Sequence, residues 1–296
     1  MLRRAAIVAL ALIACGKALP SADDSDTPDA SDGGVDASNE ITPPPDPEET
    51  TVPVEQKSPN PEGGLTDAPT VEGGVGTASC PTGRGPQMVA LTFGANTYCI
   101  DSTEVTNAQY QPFIDEPNKP AKHPRCGYNT NYKPNCADQN TKGPNEPVNC
   151  IDWCDAWAFC EWSGKHLCGK IGGGANGFND LNDATKSQWF AACSKGGTQD
   201  FCYGPTAKDV CQANNEPPAT VKSNQDCTGA YPGLYDLTGN MGEWEDSCTI
   251  GATELDDRCR RRGGDIQDAF GVQHCSQVHD LSRGAREKSG GFRCCK

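Results

Sequence analysis

Residues 235–244 read Tyr-Asp-Leu-Thr-Gly-Asn-Met-Gly-Glu-Trp and carry the most specific pattern in this chain of 296 residues. Two acidic residues, Asp236 and Glu243, enclose Gly239 and Gly242. Because glycine accepts backbone conformations that other residues avoid, the segment is expected to turn tightly between the two acids. On its own, the pattern fits a glycine turn with solvent-exposed acids.

Helical periodicity is present upstream of this segment. Residues 106–114 are expected to form a short helix, and residues 147–162 a longer one with Asp152 as its candidate N-cap. A third helix is expected over residues 185–192. Short strands and turns should make up most of the remainder, beginning with residues 88–91 and 98–100.

Five further segments occur in the order found in one known family. They are Tyr98-Cys-Ile-Asp-Ser-Thr-Glu-Val-Thr-Asn-Ala-Gln-Tyr110, Ile151-Asp-Trp-Cys-Asp-Ala-Trp-Ala-Phe-Cys-Glu-Trp-Ser-Gly-Lys165, residues 189–197, Arg262-Gly-Gly264 and Gly291-Phe-Arg293. Together with residues 235–244, they make residues 86–295 resemble the formylglycine-generating enzymes, also called the sulfatase-modifying factor family. The resemblance implies an α+β fold: one irregular, loop-rich, disulfide-stapled domain related to the C-type lectin fold.

The resemblance also implies a structural calcium ion as the cofactor. In relatives, the segment that matches residues 236–243 folds around Ca²⁺. Carried over to this chain, the ligands are the carboxylates of Asp236 and Glu243 and the main-chain carbonyls of Gly239 and Met241. Hard oxygen ligands with two negative charges suit calcium.

Cysteine usage indicates an oxidising compartment. Seventeen of the eighteen cysteines lie at or after Cys80, a number typical of a disulfide-bonded domain. The sequence contains no Cys-x-x-Cys pair and no histidines with the spacing of zinc ligands, so a zinc site is not indicated. The family resemblance implies two disulfides in particular, Cys160 with Cys294 and Cys193 with Cys275. Because seventeen is odd, at least one cysteine is expected to be free or intermolecular, with Cys80 and Cys295 as candidates.

One departure from the family concerns activity. Its oxidases bind copper through two cysteines shortly after Arg-Gly-Gly, and thiolates are ligands that suit Cu(I). Residues 265–274 contain no cysteine, and position along the chain makes Cys275 the family's structural cysteine. The lost pair falls near Asp265 and Phe270, so neither copper nor a catalytic residue is expected.

The N-terminus indicates export. Two arginines precede an apolar run over residues 5–13 that is too short to span a bilayer, so residues 1–14 are predicted to be a signal peptide. The sequence Leu12-Ile13-Ala14-Cys15 resembles the lipobox of bacterial lipoproteins, which implies lipid on Cys15. A signal peptide with a chance cysteine is the alternative. Because no aspartate follows Cys15, we expect a cell-envelope protein at the outer membrane.

Composition separates a linker from a folded domain. Residues 16–79 carry fourteen acidic and two basic residues and no aromatic residue, whereas every Trp, Tyr and Phe lies after position 92. Residues 15–79 are therefore predicted to be a lipid-anchored, disordered, acidic, Pro/Asp-rich linker, and residues 80–296 the folded domain. The acidic excess argues against nucleic acid as a partner, because phosphate binding requires a basic patch.

Two charged clusters are given structural interpretations. The basic run 258–262 is interpreted as a salt-bridged strand edge. The neighbouring acids Asp256 and Asp257 are interpreted as a solvated turn.

Two functions remain open from the sequence. The first is a non-catalytic binding or structural module of an envelope lipoprotein, with an unknown glycan, peptide or protein as ligand and membrane contact through the lipid alone. The second is a protein-cysteine-modifying oxidase of the formylglycine-generating type that uses unrecognised residues. The missing cysteine pair favours the first, because function depends on the site and not on the fold.

Overall fold

The computed structural model describes residues 72–137 and 143–296, which form two β-sheets and a few short helices. The strands are β1 (Gly73–Val75), β2 (Met88–Phe93), β3 (Asn96–Asp101), β4 (His166–Leu167), β5 (Gly242–Cys248), β6 (Arg258–Arg262), β7 (Val278–Ser282), β8 (Gly290–Phe292) and β9 (Cys294–Cys295). The α-helices are α1 (Asn107–Asp115), α2 (Trp153–Trp162) and α3 (Gln188–Cys193), with a 3₁₀ turn at Glu254–Asp256. Within the described ranges, no helix is long and apolar enough to cross a bilayer. The predictions for residues 1–71, including lipid on Cys15, lie outside the described residues.

The first sheet has the order β1-β2-β3-β9-β4, and the second has the order β7-β6-β5-β8. Strand β9 comes last along the chain but pairs with both β3 and β4, so it lies inside the first sheet. In the second sheet β5 and β8 run parallel, with Trp244 opposite Phe292. Strand β1 pairs with β2, so residues on the N-terminal side of Cys80, within the range predicted as linker, are part of the fold.

The helices begin where side chains can cap them. Thr106 caps α1 in a reciprocal arrangement with Gln109, which fits the expected start at residue 106. The second helix begins at Trp153, later than the expected start at residue 147, because the Asp152 carboxylate accepts the Asp155 amide at 2.9 Å. The residues before Asp152 are not helical: Pro147 forms an antiparallel bridge with Thr106, Val148 N–H donates to the Val105 carbonyl at 2.9 Å, and Cys150 has φ 59°.

Aromatic side chains fill the interior on both sides of the β5–β8 pair. Trp153, Trp189 and Trp244 are each at most 1% exposed. The Trp153 indole N–H donates to the Glu245 carbonyl at 2.9 Å, so burial of this ring leaves no polar atom without a partner. The second helix and β5 are thereby held against each other.

Sixteen of the seventeen cysteines from Cys80 onward form eight disulfides. The structure pairs Cys160 with Cys294 and Cys193 with Cys275, as the family resemblance implies. The remaining pairs are Cys80–Cys99, Cys126–Cys154, Cys136–Cys150, Cys168–Cys295, Cys211–Cys227 and Cys248–Cys259.

The candidates named for the free cysteine, Cys80 and Cys295, are wrong. Both are paired, and the free thiol of this region is Cys202. Successive side chains of a strand point to opposite faces, so Cys294 and Cys295 each reach a different partner. Cys295 lies 4.8 Å from Cys168 between Cα atoms, well within disulfide reach.

The basic run is a strand as predicted, but it is not at an edge. Strand β6 lies between β7 and β5, and Arg260, Arg261 and Arg262 are buried, whereas Arg258 is exposed. The Arg261 guanidinium contacts the Asp265 carboxylate at 2.6 Å, with both side chains about 1% exposed. The solvated-turn interpretation holds for Asp256 only, because Asp257 is fully buried between Arg125 and Arg283.

Candidate functional site

The backbone of residues 236–240 turns through left-handed conformations. Asp236 has φ 55°, Gly239 has φ 73° and Asn240 has φ 55°. A Cβ on Gly239 would lie 2.7 Å from the Gln212 carbonyl oxygen, so the loop packs too closely for any other residue there. The tight turn expected between the two acids is present.

Glu243 stands at the start of β5 and is fully buried. The Arg293 guanidinium donates to both of its carboxylate oxygens, each at 2.6 Å, and the Trp189 indole N–H donates to Oε2 at 2.7 Å. The parallel register of β5 and β8 brings Arg293 to this position, one residue beyond Phe292. Arg293 also donates to the Tyr235 carbonyl at 2.9 Å, and so joins the two ends of the loop.

Asp236 is 5% exposed, and its Oδ2 accepts the Lys222 amide at 2.6 Å. Burial raises the pKa of this carboxyl to about 6. The interpretation of Asp236 and Glu243 as solvent-exposed acids on a turn is therefore wrong, since both carboxyls are inside the protein.

Glu104 is a third buried acid beside this loop, and no sequence pattern singles it out. Its Oε1 accepts the Asn240 side-chain amide at 2.8 Å. Its Oε2 is buried and has no hydrogen-bond partner among residues 72–137 and 143–296. Burial raises the pKa of Glu104 well above its usual value, and the charges of Asp236 and Glu243 add to the effect.

The donor set of this cluster supplies hard oxygen atoms, but Glu104, Asp236 and Glu243 are not among the groups of described residues that bring one ligand atom each within 4.8 Å of one another. The three carboxylates, of Glu104, Asp236 and Glu243, lie beside one buried guanidinium, that of Arg293, so full ionisation leaves a net charge of −3 + 1 = −2. Each carboxylate oxygen has two lone pairs. Hydrogen bonds from Trp189 and Arg293 occupy both lone pairs of Glu243 Oε2. A hydrogen bond from Arg293 occupies one lone pair of Oε1. Oxygen ligands for a hard divalent ion therefore remain available, which is the chemistry calcium requires.

The stretch that corresponds to the family's copper cysteines has a different character. Asp265 is buried in its ion pair with Arg261, and Phe270 is 41% exposed. Asp265, Asp268 and His279 bring one ligand atom each within 4.8 Å of one another. His279 and Arg261 already partner these acids, with 3.4 Å between His279 Nε2 and Asp268 Oδ2, so ion pairing accounts for the group.

The free thiol lies elsewhere in the interior. Cys202 is fully buried, and its sulfur lies within 4.8 Å of both sulfurs of the Cys211–Cys227 disulfide. Burial raises the pKa of the Cys202 thiol to about 11, so it is protonated at neutral pH. A protonated, buried thiol is a poor nucleophile and a poor ligand for copper.

A family model identifies the class of protein. The model of the sulfatase-modifying factor enzyme 1-like domain matches residues 55–296, and the chain belongs to this family. No curated protein sequence is similar enough to this chain to count as a relative.

Three solved structures are similar to this one. The crystal structure of CarF has a TM-score of 0.44 at 18% identity and covers 77% of this chain and 97% of its own. PvdO from Pseudomonas aeruginosa has a TM-score of 0.45 at 18% identity, with 76% and 91% covered. Treponema denticola variable protein 1 has a TM-score of 0.43 at 19% identity, with 76% and 94% covered.

Proposed function

We propose that this protein is a non-catalytic binding module of the cell envelope whose loop 235–244 holds a structural calcium ion. The observation that carries the proposal is the loss of thiols where the family's oxidases bind copper. Residues 265–274 have no cysteine, and Cys275 is consumed by its disulfide with Cys193. A disulfide sulfur has no thiolate to offer to Cu(I).

The remaining thiol supports the same conclusion. Oxidation of a substrate cysteine by this family needs two thiolates that reach solvent and the substrate. Cys202 is the free cysteine of the described region, and it is single, buried and protonated. The domain thus offers a framework with surface loops for recognition and no thiolate pair for oxygen chemistry.

Calcium would stabilise the loop and perform no reaction. The Asp236 and Glu243 carboxylates with the Gly239 and Met241 carbonyls would hold it. The charge of the ion would offset the repulsion among the buried acids beside Arg293. The loop would then keep one conformation, on which a binding surface can be built.

Attachment to the envelope is the second part of the proposal. Lipid on Cys15 would anchor the chain at the outer membrane, and residues 16–79 would hold the domain away from the bilayer. Eight disulfides support an exported protein, because such bonds persist in oxidising compartments. The ligand would be an envelope glycan, peptide or protein.

The catalytic alternative can be tested directly. The copper-loaded protein is incubated with a Cys-x-Pro-x-Arg peptide, and the peptide is analysed by mass spectrometry. We expect no formylglycine above the control without protein. Turnover that disappears in Cys202→Ser would show that the buried thiol is catalytic and would overturn the non-catalytic assignment.

The calcium site is tested by titration calorimetry on the chelator-treated protein. We expect binding by the wild type and strong weakening in Asp236→Asn. Asp226→Asn, which removes an exposed acid of the same part of the chain, serves as the matched control and should bind normally. A wild type that gives no binding heat and no change in melting temperature on chelation would refute the site.

The anchor is tested by metabolic labelling with a fatty acid. Cys15→Ser should lose the label and leave the membrane fraction. Equal labelling of the variant and the wild type would contradict the anchor.

A further inference from the structure

We infer that Cys202 and the Cys211–Cys227 disulfide form an exchange group, in which the bond moves to Cys202–Cys211 and Cys227 becomes the free thiol. The inference goes beyond the proposed function and does not depend on calcium. It is carried by the three sulfur atoms, which are buried and lie within 4.8 Å of one another. No other three sulfurs of residues 72–137 and 143–296 form such a group. The Cys211–Cys227 bond is called the resting disulfide below.

The exchange needs no oxidant and no reductant. The Cys202 thiol loses its proton, and its sulfur attacks Cys211 Sγ. A bond forms between these two sulfurs while the resting disulfide breaks, and both electrons of the broken bond go to Cys227 Sγ. Cys227 then takes up the proton that Cys202 lost. One thiol and one disulfide are present before and after the step.

Thr238 offers hydrogen-bond partners to the sulfurs in both forms. Its hydroxyl oxygen lies 3.1 Å from Cys202 Sγ and 3.9 Å from Cys211 Sγ, beside the two sulfurs that would join. Its carbonyl oxygen lies 3.7 Å from Cys227 Sγ, so a released Cys227 thiol has an acceptor in place. For this reason we expect the bond to move to Cys211, with Cys227 as the sulfur that leaves.

The resting disulfide joins two segments that hold the loop 235–244. The Gln212 carbonyl, next to one of the bonded cysteines, accepts the Asn240 amide at 3.0 Å. The carbonyl of Cys227, the other bonded cysteine, accepts the Asp236 amide at 3.1 Å. Exchange removes the covalent link between these two segments, and a disulfide restricts the chain that it closes. The position of the bond therefore sets how firmly the loop is held.

Burial makes the exchange slow at neutral pH. It raises the pKa of the Cys202 thiol to about 11, with hydrogen bonds from Thr238 and the charge of Arg293 acting in the opposite direction and the charge of Asp236 in the same one. Because the thiolate is the nucleophile, the exchange rate should rise about tenfold for each pH unit below that pKa. The resting disulfide is thus the form expected at neutral pH.

Peptide mapping after acid quenching tests the inference. Native protein is held at pH 7 or pH 9, acidified, denatured, alkylated with N-ethylmaleimide at pH 5 and digested with pepsin without reductant. We expect the label on Cys202 at first and then increasingly on Cys227, with an initial rate about 100-fold faster at pH 9 than at pH 7. Cys202→Ser is the control and should leave the resting disulfide unlabelled at both pH values.

A second variant traps the exchanged form. In Cys227→Ser, refolded with oxidised glutathione, Cys202 and Cys211 should form a disulfide. Hydrogen–deuterium exchange at the amides of Asp236 and Asn240 should then be about tenfold faster than in the wild type. Cys202→Ser, which keeps the resting disulfide, should exchange these amides at the wild-type rate. Near-ultraviolet circular dichroism of each variant reports whether the rest of the fold is retained.

Three results would overturn the inference. The first is label that remains on Cys202 at both pH values, and the second is a folded Cys227→Ser protein that keeps two free thiols. The third is label that also reaches Cys193 or Cys275, or that forms faster at higher protein concentration, because either would show scrambling outside the exchange group. If Cys227→Ser does not fold, the mapping of the wild type decides alone.

Discussion

The Arg293 guanidinium and the Glu243 carboxylate form a doubly hydrogen-bonded ion pair, with both nitrogen–oxygen distances at 2.6 Å and both side chains fully buried. The arginine directly follows β8, and the glutamate is the second residue of β5. Because these segments are about fifty positions apart, the ion pair ties the calcium loop to the C-terminal part of the domain.

Removal of Arg293 should be strongly destabilising. In Arg293→Met, the acids Glu243, Asp236 and Glu104 lose their buried cation, and breaking a buried pair of this kind costs about 3–5 kcal/mol. Urea unfolding followed by circular dichroism gives the free energy of unfolding. Arg258→Gln, at an exposed arginine of β6, should change it by no more than about 0.5 kcal/mol. Equal effects of the two substitutions would show that the buried pair is not important for stability.

The disulfides Cys160–Cys294 and Cys168–Cys295 should substitute for each other. They close loops of 134 and 127 residues that nearly coincide, since their ends differ by only 8 and 1 positions. While one of the two bonds is intact, the other closes only a short loop. Loss of either bond alone should therefore lower the free energy of unfolding by about 3 kcal/mol.

Loss of both bonds opens a longer loop, which runs from Cys160 to Cys193, across the intact Cys193–Cys275 bond and on to Cys294. The second loss should therefore cost at least about 1 kcal/mol more than the first. Unfolding of the two paired Cys→Ala variants and of the quadruple variant, under non-reducing conditions, completes a thermodynamic cycle. Strictly additive losses would contradict this shared role.

Stability should depend on Asp257 at low pH. Burial raises the pKa of this carboxyl, but hydrogen bonds from Arg125, the Gly251 amide and Arg283 outweigh burial and lower it to about 2. A folded-state pKa below the unfolded value of about 3.9 stabilises the fold above that value, and the contribution is lost as pH falls toward 2.

Asp257→Asn should therefore be less stable than the wild type at pH 5, and the difference should shrink between about pH 4 and pH 2. Asp226→Asn, at an exposed acid, provides the comparison. Thermal melts at several pH values measure both. A difference that stays constant down to pH 2 would exclude this role for Asp257.

The Cys202 thiol should be inaccessible in the native protein. It is fully buried and its pKa is about 11, so a thiol reagent at pH 8 should label it only after unfolding. Mass spectrometry of protein alkylated before and after denaturation, without reductant, locates the label. Cys202→Ser should remove the label from this region, and fast labelling of native Cys202 would count against its burial.

Much of the fold was accessible from local patterns in the sequence. Thr106 and Asp152 cap helices as predicted, because capping depends on residues within one turn of each other. Helix α2 does not begin at residue 147, because Pro147 and Val148 pair with Thr106 and Val105 of a distant segment, which no local pattern reports. Family assignment followed from the order of several motifs, which requires no knowledge of contacts.

Only part of the candidate site could be predicted from the sequence. Asp236 and Glu243 are close in sequence and belong to one motif, so their grouping could be predicted. Glu104 reaches the loop from a segment more than a hundred residues away, and Arg293 reaches Glu243 from about fifty residues away through the pairing of β5 with β8. No spacing rule reports either contact. The free cysteine was misassigned for the same reason, since the partner of Cys295 depends on which strand lies beside β9.

The position of β9 within its sheet bears on how the protein is made. Residues 294 and 295 lie between β3 and β4, whose own residues are synthesised more than a hundred positions earlier. Those earlier strands are therefore made before the middle strand of their sheet, and Cys160 in α2 and Cys168 just after β4 have no partner until residues 294 and 295 are present. Assembly of this domain cannot proceed stepwise from its N-terminal end, and a nascent chain interrupted before residue 294 would present unpaired strand edges and reactive thiols to the quality-control machinery.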